Sequence, residues 1–317
     1  MRDGPQRSEL DKRKLTLRNE KVTLMPTTTL PKKTTLPCLI CETQNQMEAL
    51  VCSTCGAPMA LIHEALLLDR DPCIVTVVGD SNVGKTVYLG MLLDMLSKRA
   101  EDFEAIPKGA YSVNLQHTVI SYLSNRQFPP KTATEVDDWN WAYYQIAHRN
   151  RGAKIYDLVM PDMAGEAIAA EVANPKTFTV IRSLLEKSAG AILLVDGALA
   201  AAGSPQPDFF ALKLMTYLDG LMASKRTNRL NTPVAVVLSK ADYCPECFDD
   251  PRGFAQTNLN RLWNICESRF AHFEFFAASV VGALGYGSDE SQNVVPYPLH
   301  VAPRGILEPF EWVLSKL

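Results

Sequence analysis

Short blocks of consecutive apolar residues alternate with longer segments of helical periodicity from about residue 71 onward. Apolar blocks bounded by turn-forming residues are typical of buried strands, whereas the longer segments favour amphipathic helices. The blocks predict strands at 73–78, 138–147, 153–160, 189–195, 233–239 and 272–278. The intervening segments predict helices near 85–99, 111–126, 175–188, 208–225, 254–270 and 306–316. Strands that alternate with helices in this way indicate an α/β fold with a mainly parallel sheet.

The second and third predicted strands follow one another without a helix between them. Trp139, Trp141 and Tyr143 occupy alternate positions of the second strand, and the Asn-Arg-Gly turn at 150–152 leads into the third. This pattern predicts an antiparallel hairpin inside the otherwise parallel sheet.

The composition narrows the class of protein. A length of 317 residues, 47% of them hydrophobic, is enough for one large domain and a small accessory one. A net charge of −3 and a pI near 6.0 predict no general attraction to nucleic acid or to an anionic membrane. The longest weakly polar stretch, 189–203, is interrupted by Asp196 and is too short to span a bilayer, and residues 1–20 lack the apolar segment of a secretory signal. We therefore expect a cytoplasmic protein.

The N-terminal 36 residues differ from the rest of the chain. Residues 1–36 carry nine Lys or Arg against four Asp or Glu and end in a Thr-, Pro- and Lys-rich stretch. Few apolar side chains are available there to offset the entropy of ordering, which predicts a disordered basic tail. A solvated flexible leader is the simplest interpretation of its charge, and contact with an acidic partner or nucleic acid is the alternative.

Four of the eight cysteines form two C-x-x-C pairs, Cys38 with Cys41 and Cys52 with Cys55, which ten residues separate. Each pair presents two thiolates from one tight turn, and four thiolates complete the tetrahedral coordination of zinc. In a reducing compartment metal ligation is favoured over disulfides, with free structural thiols as the alternative. The spacing therefore predicts a compact structural zinc ribbon.

The cysteine motifs and the α/β pattern together predict the domain organisation. The zinc ribbon at 37–58 is followed by a connector helix at 59–70, and a phosphate-loop domain occupies 71–317. A third C-x-x-C pair, Cys244 and Cys247, cannot fill a zinc coordination sphere alone. For this pair we favour thiols in an exposed loop over a second metal site.

The most specific motif is the sequence G-x-x-x-x-G-K-T between the first predicted strand and the first predicted helix of the large domain. Its glycines let the backbone turn with the N–H groups facing inward, Lys85 can reach the β- and γ-phosphates, and Thr86 can ligate Mg²⁺ at the positive end of the helix. The motif predicts a nucleotide triphosphate bound through Gly79, Asp80, Ser81, Asn82, Val83, Gly84, Lys85 and Thr86.

Two later segments follow predicted strands. The first segment is 157–166. Within it, Asp162 can hold Mg²⁺ through water, and Gly165 can place a backbone N–H against a γ-phosphate. The second reads Ser239-Lys240-Ala241-Asp242. The Asp242 carboxylate can accept hydrogen bonds from the N1–H and 2-amino groups of guanine, a donor pair that adenine lacks. Lys240 can lay its alkyl stem along the plane of the base.

These segments, together with the small residues Ser279 and Val280 after the last predicted strand, resemble the P-loop GTPases of the Ras-like, translation-factor-related class over about residues 71–317. The backbone at Ser279 and Val280 would approach the base carbonyl. The resemblance implies a six-stranded doubly wound core, GTP and Mg²⁺ as ligands, and hydrolysis coupled to the movement of two switch segments.

In that class a threonine of the first switch completes the Mg²⁺ shell. The loop 128–134 occupies the corresponding place, with Thr132 as the first choice of ligand and Thr134 as the second. The implied Mg²⁺ ligands are therefore Thr86, Thr132 and Asp162. A surface Pro/Thr loop without metal contact is the alternative.

Two residues depart from the pattern of the class. Ser239 replaces an asparagine in the base motif, which removes an amide but keeps a hydroxyl donor, so guanine preference should survive. Glu166 stands where many relatives have the glutamine that orients the attacking water. Because a glutamate would either act as a base or repel the phosphate, we expect hydrolysis that is slow or stimulated by a partner. The implied catalytic residues are Lys85, Thr132, Gly165 and Glu166.

The zinc ribbon ahead of the GTPase, the Pro-Pro-Lys-Thr loop, the Asp-x-x-Gly-Glu segment and the helix at 306–314 are together similar to the bacterial double-GTPase group. Members of that group are encoded in conflict or defence systems, which implies protein partners: an effector, an activating protein or a second GTPase. Two alternatives stay open. One is a P-loop ATPase or kinase with Asp196 as metal ligand, against which the Asp242 motif argues; the other is a non-hydrolysing nucleotide-bound scaffold whose ribbon recruits partners or contacts nucleic acid.

Overall fold

The computed structural model describes residues 34–68, 71–98, 103–148, 155–222, 229–288 and 292–317. Residues 1–33 of the predicted tail and the predicted turn at 150–152 lie outside these ranges. The chain divides into two units, Met1–Thr34 and Thr35–Leu317. All elements below belong to the second unit.

Strands and helices alternate along most of the second unit. The strands are β1 Thr35–Pro37, β2 Gln44–Gln46, β3 Cys73–Gly79, β4 Phe103–Pro107, β5 Trp141–His148, β6 Ile155–Pro161, β7 Ser188–Asp196, β8 Val234–Ser239, β9 Phe273–Ala277, β10 Ser279–Ser288 and β11 Val294–Arg304. The α-helices are α1 Ala60–Leu68, α2 Lys85–Ser97, α3 Asn114–Ser124, α4 Gly165–Ala173, α5 Thr179–Lys187, α6 Gly197–Ala201, α7 Gln206–Met222, α8 Glu246–Asp249, α9 Pro251–Asn258, α10 Asn260–Arg269 and α11 Leu307–Leu314. Within the described ranges, none of these helices combines the length and the apolar character needed to cross a bilayer.

Seven strands form the central sheet, in the order β4-β5-β6-β3-β7-β8-β9. The strands from β6 to β9 in that order run parallel, whereas β5 is antiparallel to β6 and β4 to β5. Apolar side chains of β3 alternate between two buried clusters, with Ile74 and Val78 in one and Val75 and Val77 in the other. Helices α4, α5, α7 and α10 contribute to the first cluster, and α2, α3 and α11 to the second. The predicted doubly wound α/β fold, with its internal hairpin of β5 and β6, is therefore confirmed.

One strand of the sheet was not predicted, so the expected number of six strands is wrong. β4 has five residues and contains Glu104 and Pro107, both poor strand formers. It lies at the edge of the sheet, where it pairs with β5 and buries Phe103 against Phe310, with the ring centroids 6.3 Å apart. Because these stabilising contacts are distant in sequence, the local pattern did not indicate a strand.

The hairpin of β10 and β11 was not predicted either. It forms a two-stranded antiparallel sheet of its own. Gly282, Gly285 and Gly287 interrupt the apolar pattern of β10, and Pro296 and Pro298 interrupt that of β11. Glycine and proline are poor strand formers, so the segment does not look like a strand in sequence.

Residues 35–58 form a small unit around the antiparallel strands β1 and β2, which we call the four-cysteine unit. Ile40 is fully buried and belongs to the same apolar cluster as Met59, Leu61 and Trp139. Lys187 Nζ in α5 adds an ion pair with Glu42 Oε1 at 2.8 Å. The four-cysteine unit therefore packs on the sheet domain through a shared apolar core.

The four-cysteine unit also contacts the segment that follows Thr132. Gly56 has a φ of 72°, and a Cβ atom added to it would lie 3.3 Å from Val136 Cγ1. Val136 begins a short 3₁₀ helix that leads to the buried Trp139. Trp139 Nε1 in turn donates a hydrogen bond to the carbonyl oxygen of Ala133 at 2.9 Å. A continuous series of contacts thus connects the four-cysteine unit to the residue beside Thr132.

Candidate nucleotide and metal site

The predicted phosphate-binding loop connects β3 to α2. Gly79 closes β3 so tightly that an added Cβ would lie 2.6 Å from the carbonyl oxygen of Leu194 in β7. Asn82 and Gly84 have φ values of 62° and 92°, and this left-handed backbone turns the loop into the helix. The position of a Cβ on Gly84 is open, since apart from its neighbours in the chain no heavy atom of the described residues lies within 4 Å of it. A ligand can therefore approach the backbone closely at this point.

The side chain of Lys85, the first residue of α2, is buried against the phosphate-binding loop. Its Nζ donates hydrogen bonds to the carbonyl oxygens of Gly79 at 3.1 Å and Asp80 at 2.7 Å. Burial lowers the pKa of Lys85 to about 8, and the negative charges of Asp162, Glu166 and Asp80 partly oppose this shift. A phosphate group would add negative charge beside the ammonium group and favour its protonated form.

Three oxygen-bearing side chains that are far apart in sequence meet beside the loop. The Thr86 and Thr132 hydroxyl oxygens lie 2.8 Å apart. Thr86 donates to Asp162 Oδ1 at 3.1 Å, and Thr132 donates to Asp162 Oδ2 at 3.0 Å. Burial raises the pKa of Asp162 to about 6, while both hydroxyl hydrogen bonds and Lys85 act in the opposite direction. Two hydroxyls and a carboxylate are the hard oxygen donors that Mg²⁺ prefers, so the donor set fits this ion.

The structure brings Thr132 rather than Thr134 to the other predicted metal ligands. Thr134 is exposed, and its hydroxyl hydrogen-bonds the Glu135 carboxylate at 3.1 Å. Ala133 lies between the two threonines, and its carbonyl oxygen accepts a hydrogen bond from the buried Trp139. This contact turns Thr132 toward Asp162 and leaves Thr134 facing solvent.

Gly165 and Glu166 begin α4 against the phosphate-binding loop. A Cβ added to Gly165 would lie 2.5 Å from the backbone nitrogen of Ser81 and 2.7 Å from Lys85 Nζ, so a larger residue does not fit without movement. The Glu166 carboxylate accepts hydrogen bonds from the Ser81 hydroxyl at 2.5 Å and from Lys131 Nζ at 3.5 Å. The hydrogen bond from Ser81 lowers the pKa of Glu166. Glu166 is therefore an anion that connects the phosphate-binding loop to the loop carrying Thr132.

The predicted base-reading segment lies at the end of β8. Lys240 has a left-handed backbone, with a φ of 56°, and its Nζ pairs with Asp196 Oδ2 at 2.6 Å. The Ser239 hydroxyl donates to the carbonyl oxygen of Val195 at 3.2 Å. Asp242 Oδ1 accepts a hydrogen bond from the Ser279 hydroxyl at 2.7 Å. The two predicted base-contacting segments are thus in direct contact.

Asp196, the metal ligand of the alternative ATPase interpretation, lies at this end of the site. It is buried, caps α6 by accepting a hydrogen bond from the Leu199 backbone N–H at 2.9 Å, and pairs with Lys240. These contacts hold its carboxylate beside the base-reading segment rather than in the cluster of Thr86, Thr132 and Asp162.

A cavity of about 470 Å³ joins the phosphate-loop end of the site to the base-reading end. Most of the predicted site residues line it, namely Ser81, Asn82, Val83, Gly84, Lys85, Thr86, Thr132, Gly165, Glu166, Ser239, Lys240, Asp242, Ser279 and Val280. Gly79, Asp80 and Asp162 are not part of its described wall. Residues that were not predicted also line it, among them Lys131, Tyr243, Val281, Leu284 and Pro296. The last three come from the β10–β11 hairpin, of which the sequence indicated only the first two residues, Ser279 and Val280, as part of the site.

The four cysteines of the four-cysteine unit also converge. The Sγ atoms of Cys38 and Cys55 are 3.6 Å apart and those of Cys41 and Cys52 are 3.5 Å apart, and all four lie within 4.8 Å of one another. Tetrahedral zinc with bonds of about 2.3 Å requires sulfur atoms about 3.8 Å apart, so the cluster fits this ion. The hydrogen bond with Cys55 lowers the pKa of Cys38 to about 5. The same hydrogen bond raises the pKa of Cys55, so of the two thiols Cys38 is the one whose anionic form is favoured.

The expectation of an exposed loop for Cys244 and Cys247 is wrong. Both side chains are buried, because Cys244 directly follows a 3₁₀ helix, Cys247 lies in α8, and both belong to the same apolar cluster as Ala241. A Cβ added to Gly197 would lie 3.5 Å from Cys247 Sγ. Burial raises the pKa of both thiols. Among the described residues they are not part of a group of three or more potential metal ligands.

A G-x-x-x-x-G-K-T loop on a doubly wound sheet, with Asp162 after β6 and the Ser-Lys-Ala-Asp segment at the end of β8, defines a GTPase-type P-loop domain. The family model of Double-GTPase 2 matches residues 73–294. The chain therefore belongs to the Double-GTPase 2 family and carries its GTPase domain. No curated protein matches the chain.

Several solved structures are similar to this chain. The signal recognition particle receptor SRb-GTP/SRX complex from Chaetomium thermophilum is 16% identical, with a TM-score of 0.36, and the match covers 67% of this chain and 92% of that one. The Ski7 GTPase-like domain of S. cerevisiae bound to GTP is 16% identical, with a TM-score of 0.35, over 66% of this chain and 42% of that one. Roco2 RocCORdC of Methanosarcina barkeri bound to GDP is 18% identical, with a TM-score of 0.33, over 66% and 43%. This chain thus spans less than half of the last two.

The separation of Thr132 from Thr134 gives a direct test of the metal cluster. We expect Thr132→Ala to weaken Mg²⁺-dependent binding of a GTP analogue about tenfold, because the cluster loses one of its oxygen donors. Thr134→Ala removes the same hydroxyl two residues away and should leave the affinity unchanged. Titration of a fluorescent GTP analogue with and without Mg²⁺ measures both variants, and equal losses would contradict the assignment.

Proposed function

We propose that this protein is a GTP-binding molecular switch with Mg²⁺-dependent and intrinsically slow GTP hydrolysis. The observation that carries the proposal is the convergence of Thr86, Thr132 and Asp162 at one end of a cavity whose other end holds Asp242. One end offers ligands for the Mg²⁺ of a triphosphate, and the other offers an acceptor for guanine. Both features belong to the same continuous space.

The base-reading end supports guanine over adenine. Asp242 is half-buried, and Ser279 already donates a hydrogen bond to its Oδ1 atom. The second carboxylate oxygen and the remaining lone pairs are available to the N1–H and 2-amino groups of guanine. Adenine offers no such donor pair and would leave the charge of Asp242 unmatched.

The phosphate end supports a switch that senses the third phosphate. Thr132 reaches the site from a loop, and Gly165 reaches it from the start of α4. In the proposal Thr86, Thr132 and Asp162 would hold Mg²⁺, and the backbone N–H of Gly165 would donate to the γ-phosphate. Loss of that phosphate would remove the interaction that holds both segments against the phosphate-binding loop.

Glu166 supports slow hydrolysis. Its carboxylate is anionic, and it is held by Ser81 and Lys131 at the mouth of the phosphate-binding loop. A negative charge at this place repels the γ-phosphate and the negative charge that develops on the attacking water. Both effects slow hydrolysis. An activating partner would speed hydrolysis by neutralising or displacing Glu166.

We infer that Cys38, Cys41, Cys52 and Cys55 hold a structural zinc ion. Four thiolate ligands leave no open position, so the ion stabilises the fold of the four-cysteine unit and takes no part in hydrolysis. The protein partners implied by the family, an effector, an activating protein or a second GTPase in a conflict system, would then meet a preformed surface. Metal ligation by cysteines is favoured over disulfides in a reducing compartment, which supports a cytoplasmic location.

Nucleotide selectivity tests the proposal. We expect the wild-type protein to bind fluorescent GTP and GDP analogues with Mg²⁺ at least about a hundredfold more tightly than the ATP analogue, because a hydrogen-bonding site rejects a base that lacks the matching groups. Asp242→Asn should shift the preference toward xanthosine triphosphate, whose 2-oxo group accepts a hydrogen bond from the new amide.

Asp249→Asn is the matched control for that experiment, because it makes the same charge change on an exposed residue of α8. It should leave the selectivity as in the wild type. Preference for ATP in the wild-type protein would overturn the GTP assignment, and unchanged guanine preference in Asp242→Asn would show that Asp242 does not read the base.

The role of Glu166 is tested by phosphate release from GTP under single-turnover conditions. Glu166→Gln keeps the shape of the side chain and removes its charge, so we expect hydrolysis to become at least about fivefold faster. Glu135→Gln makes the same charge change on an exposed residue of the Thr132 loop and should have no effect. A slower Glu166→Gln variant would instead identify Glu166 as a general base.

Elemental analysis tests the zinc site. Cys38→Ser combined with Cys41→Ser removes two of the four ligands, so we expect the purified variant to lose its zinc and to retain guanine nucleotide binding. The matched control replaces Cys244 and Cys247, the other C-x-x-C pair, and should keep the zinc content of the wild type. Full retention of zinc without Cys38 and Cys41 would reject the assignment.

A further inference from the structure

We propose that the β10–β11 hairpin is a lid over the base and ribose end of the nucleotide cavity, and that Leu284 and Pro296 set how slowly guanine nucleotides are released. This inference rests on the proposed function, because it assigns a role to the hairpin in the same site. In this inference the hairpin, which is not part of the central sheet, places apolar side chains against one side of the bound nucleoside.

The hairpin starts inside the base-reading end of the site. Ser279 is its first residue, and the Ser279 hydroxyl oxygen lies 2.7 Å from Asp242 Oδ1 and 2.8 Å from the carbonyl oxygen of Val281, so its one hydrogen can be donated to either acceptor. The backbone N–H of Ala241 donates to the carbonyl oxygen of Ala278, the residue before the hairpin, at 3.2 Å. The position of the hairpin is therefore fixed by the residues that would bind guanine.

Irregular pairing directs the hairpin side chains into the cavity. Val281 pairs with Val301, Ala283 with His300 and Leu284 with Pro298, and the register shifts between each of these pairs. In a regular strand residues 281 and 284 would point to opposite faces, because side chains alternate. The bulges re-aim them, so that both Val281 and Leu284 line the cavity.

A second contact holds the middle of the hairpin against the base-reading segment. The hydroxyl groups of Tyr243 and Tyr286 lie 3.1 Å apart, and Tyr243 ends the 3₁₀ helix that contains Asp242. Opposite Tyr286 in the register stands Pro296, which also lines the cavity. The hairpin thus meets the nucleotide site at Ser279 and again at Tyr286.

Close packing stiffens this part of the hairpin. A Cβ added to Gly285 would lie 2.5 Å from Cζ of the Tyr297 ring. The ring from β11 therefore occupies the space over β10 that a side chain at position 285 would need. The half-buried Leu284 and the exposed Pro296 keep apolar surface open toward the cavity. A nucleoside in the cavity would cover that surface, which gives a favourable apolar contribution to binding.

The site chemistry also predicts which nucleotides the lid affects. Leu284 and Pro296 belong to the base-reading end, whereas Thr132, Gly165 and Glu166 belong to the phosphate end. Contacts with the base and ribose are the same in GTP and GDP. The lid should therefore slow the release of both nucleotides by the same factor, unlike any contact made by the residues near the γ-phosphate.

The experiment measures the dissociation rates of fluorescent GDP and GTP analogues from the full-length protein by displacement with excess unlabelled nucleotide. We expect Leu284→Ala to accelerate release of both analogues about tenfold, with little change in the association rate. Leu299→Ala is the matched control, because Leu299 is an exposed residue of the same hairpin that does not line the cavity. Its rates should equal those of the wild type.

Tyr286→Phe provides a second variant that retains the ring and removes only the hydroxyl contact with Tyr243. We expect it to accelerate release of both analogues about threefold. Unchanged rates in both Leu284→Ala and Tyr286→Phe, or faster release of the GTP analogue alone, would overturn the lid while leaving the proposed function intact. Failure of the wild-type protein to bind either analogue would overturn the proposed function, and the lid with it.

Discussion

A buried carboxylate at the end of β6 is the constraint on which the arrangement of the site depends. Asp162 is almost completely inaccessible to solvent, and a carboxylate in that position needs hydrogen-bond donors. It obtains them from Thr86 at the start of α2 and from Thr132 in the loop that follows α3. Satisfying one side chain therefore brings three separate segments of the chain together. The loop with Thr132 has little regular structure of its own, and its position follows from this contact and from the hydrogen bond between Trp139 and Ala133.

The other side of the phosphate-binding loop is controlled by a second shared anion. Glu166 connects Ser81 of the loop with Lys131 of the Thr132 segment. The same segment is thus held at adjacent residues, by Lys131 at Glu166 and by Thr132 at Asp162. Because α4 begins at Gly165, a displacement of either contact would move the start of that helix as well. The polar contacts around the phosphate-binding loop form one network rather than a set of independent pairs.

The sequence was informative where the chemistry is local and less so where it depends on distant pairing. The phosphate-binding loop needs its glycines, Lys85 and Thr86 in one continuous stretch, so the motif indicates the loop directly. The predicted sheet and the hairpin of β5 and β6 followed from apolar patterns of adequate length. β4 and the β10–β11 hairpin were missed because Glu104, Pro107 and the glycines of β10 conceal strands that form through partners elsewhere in the chain. The burial of Cys244 and Cys247 was missed for a similar reason, since a C-x-x-C pair after a strand does not show what packs over it.

Gly56 of the four-cysteine unit lies close to Val136, in the segment that follows Thr132. The four-cysteine unit rests against the segment that continues into Trp139, and Trp139 holds the residue next to Thr132. Coupling between two sites is reciprocal, so a preference at one end must appear with equal free energy at the other. Suppose that nucleotide binds more tightly when this segment is in one of two positions. A partner that binds the four-cysteine unit more tightly in the same position would then raise the nucleotide affinity, and nucleotide would raise the affinity for the partner by the same factor. A protein bound to the four-cysteine unit could therefore change nucleotide affinity without contacting the nucleotide cavity, and a bound nucleotide could change the affinity for that protein.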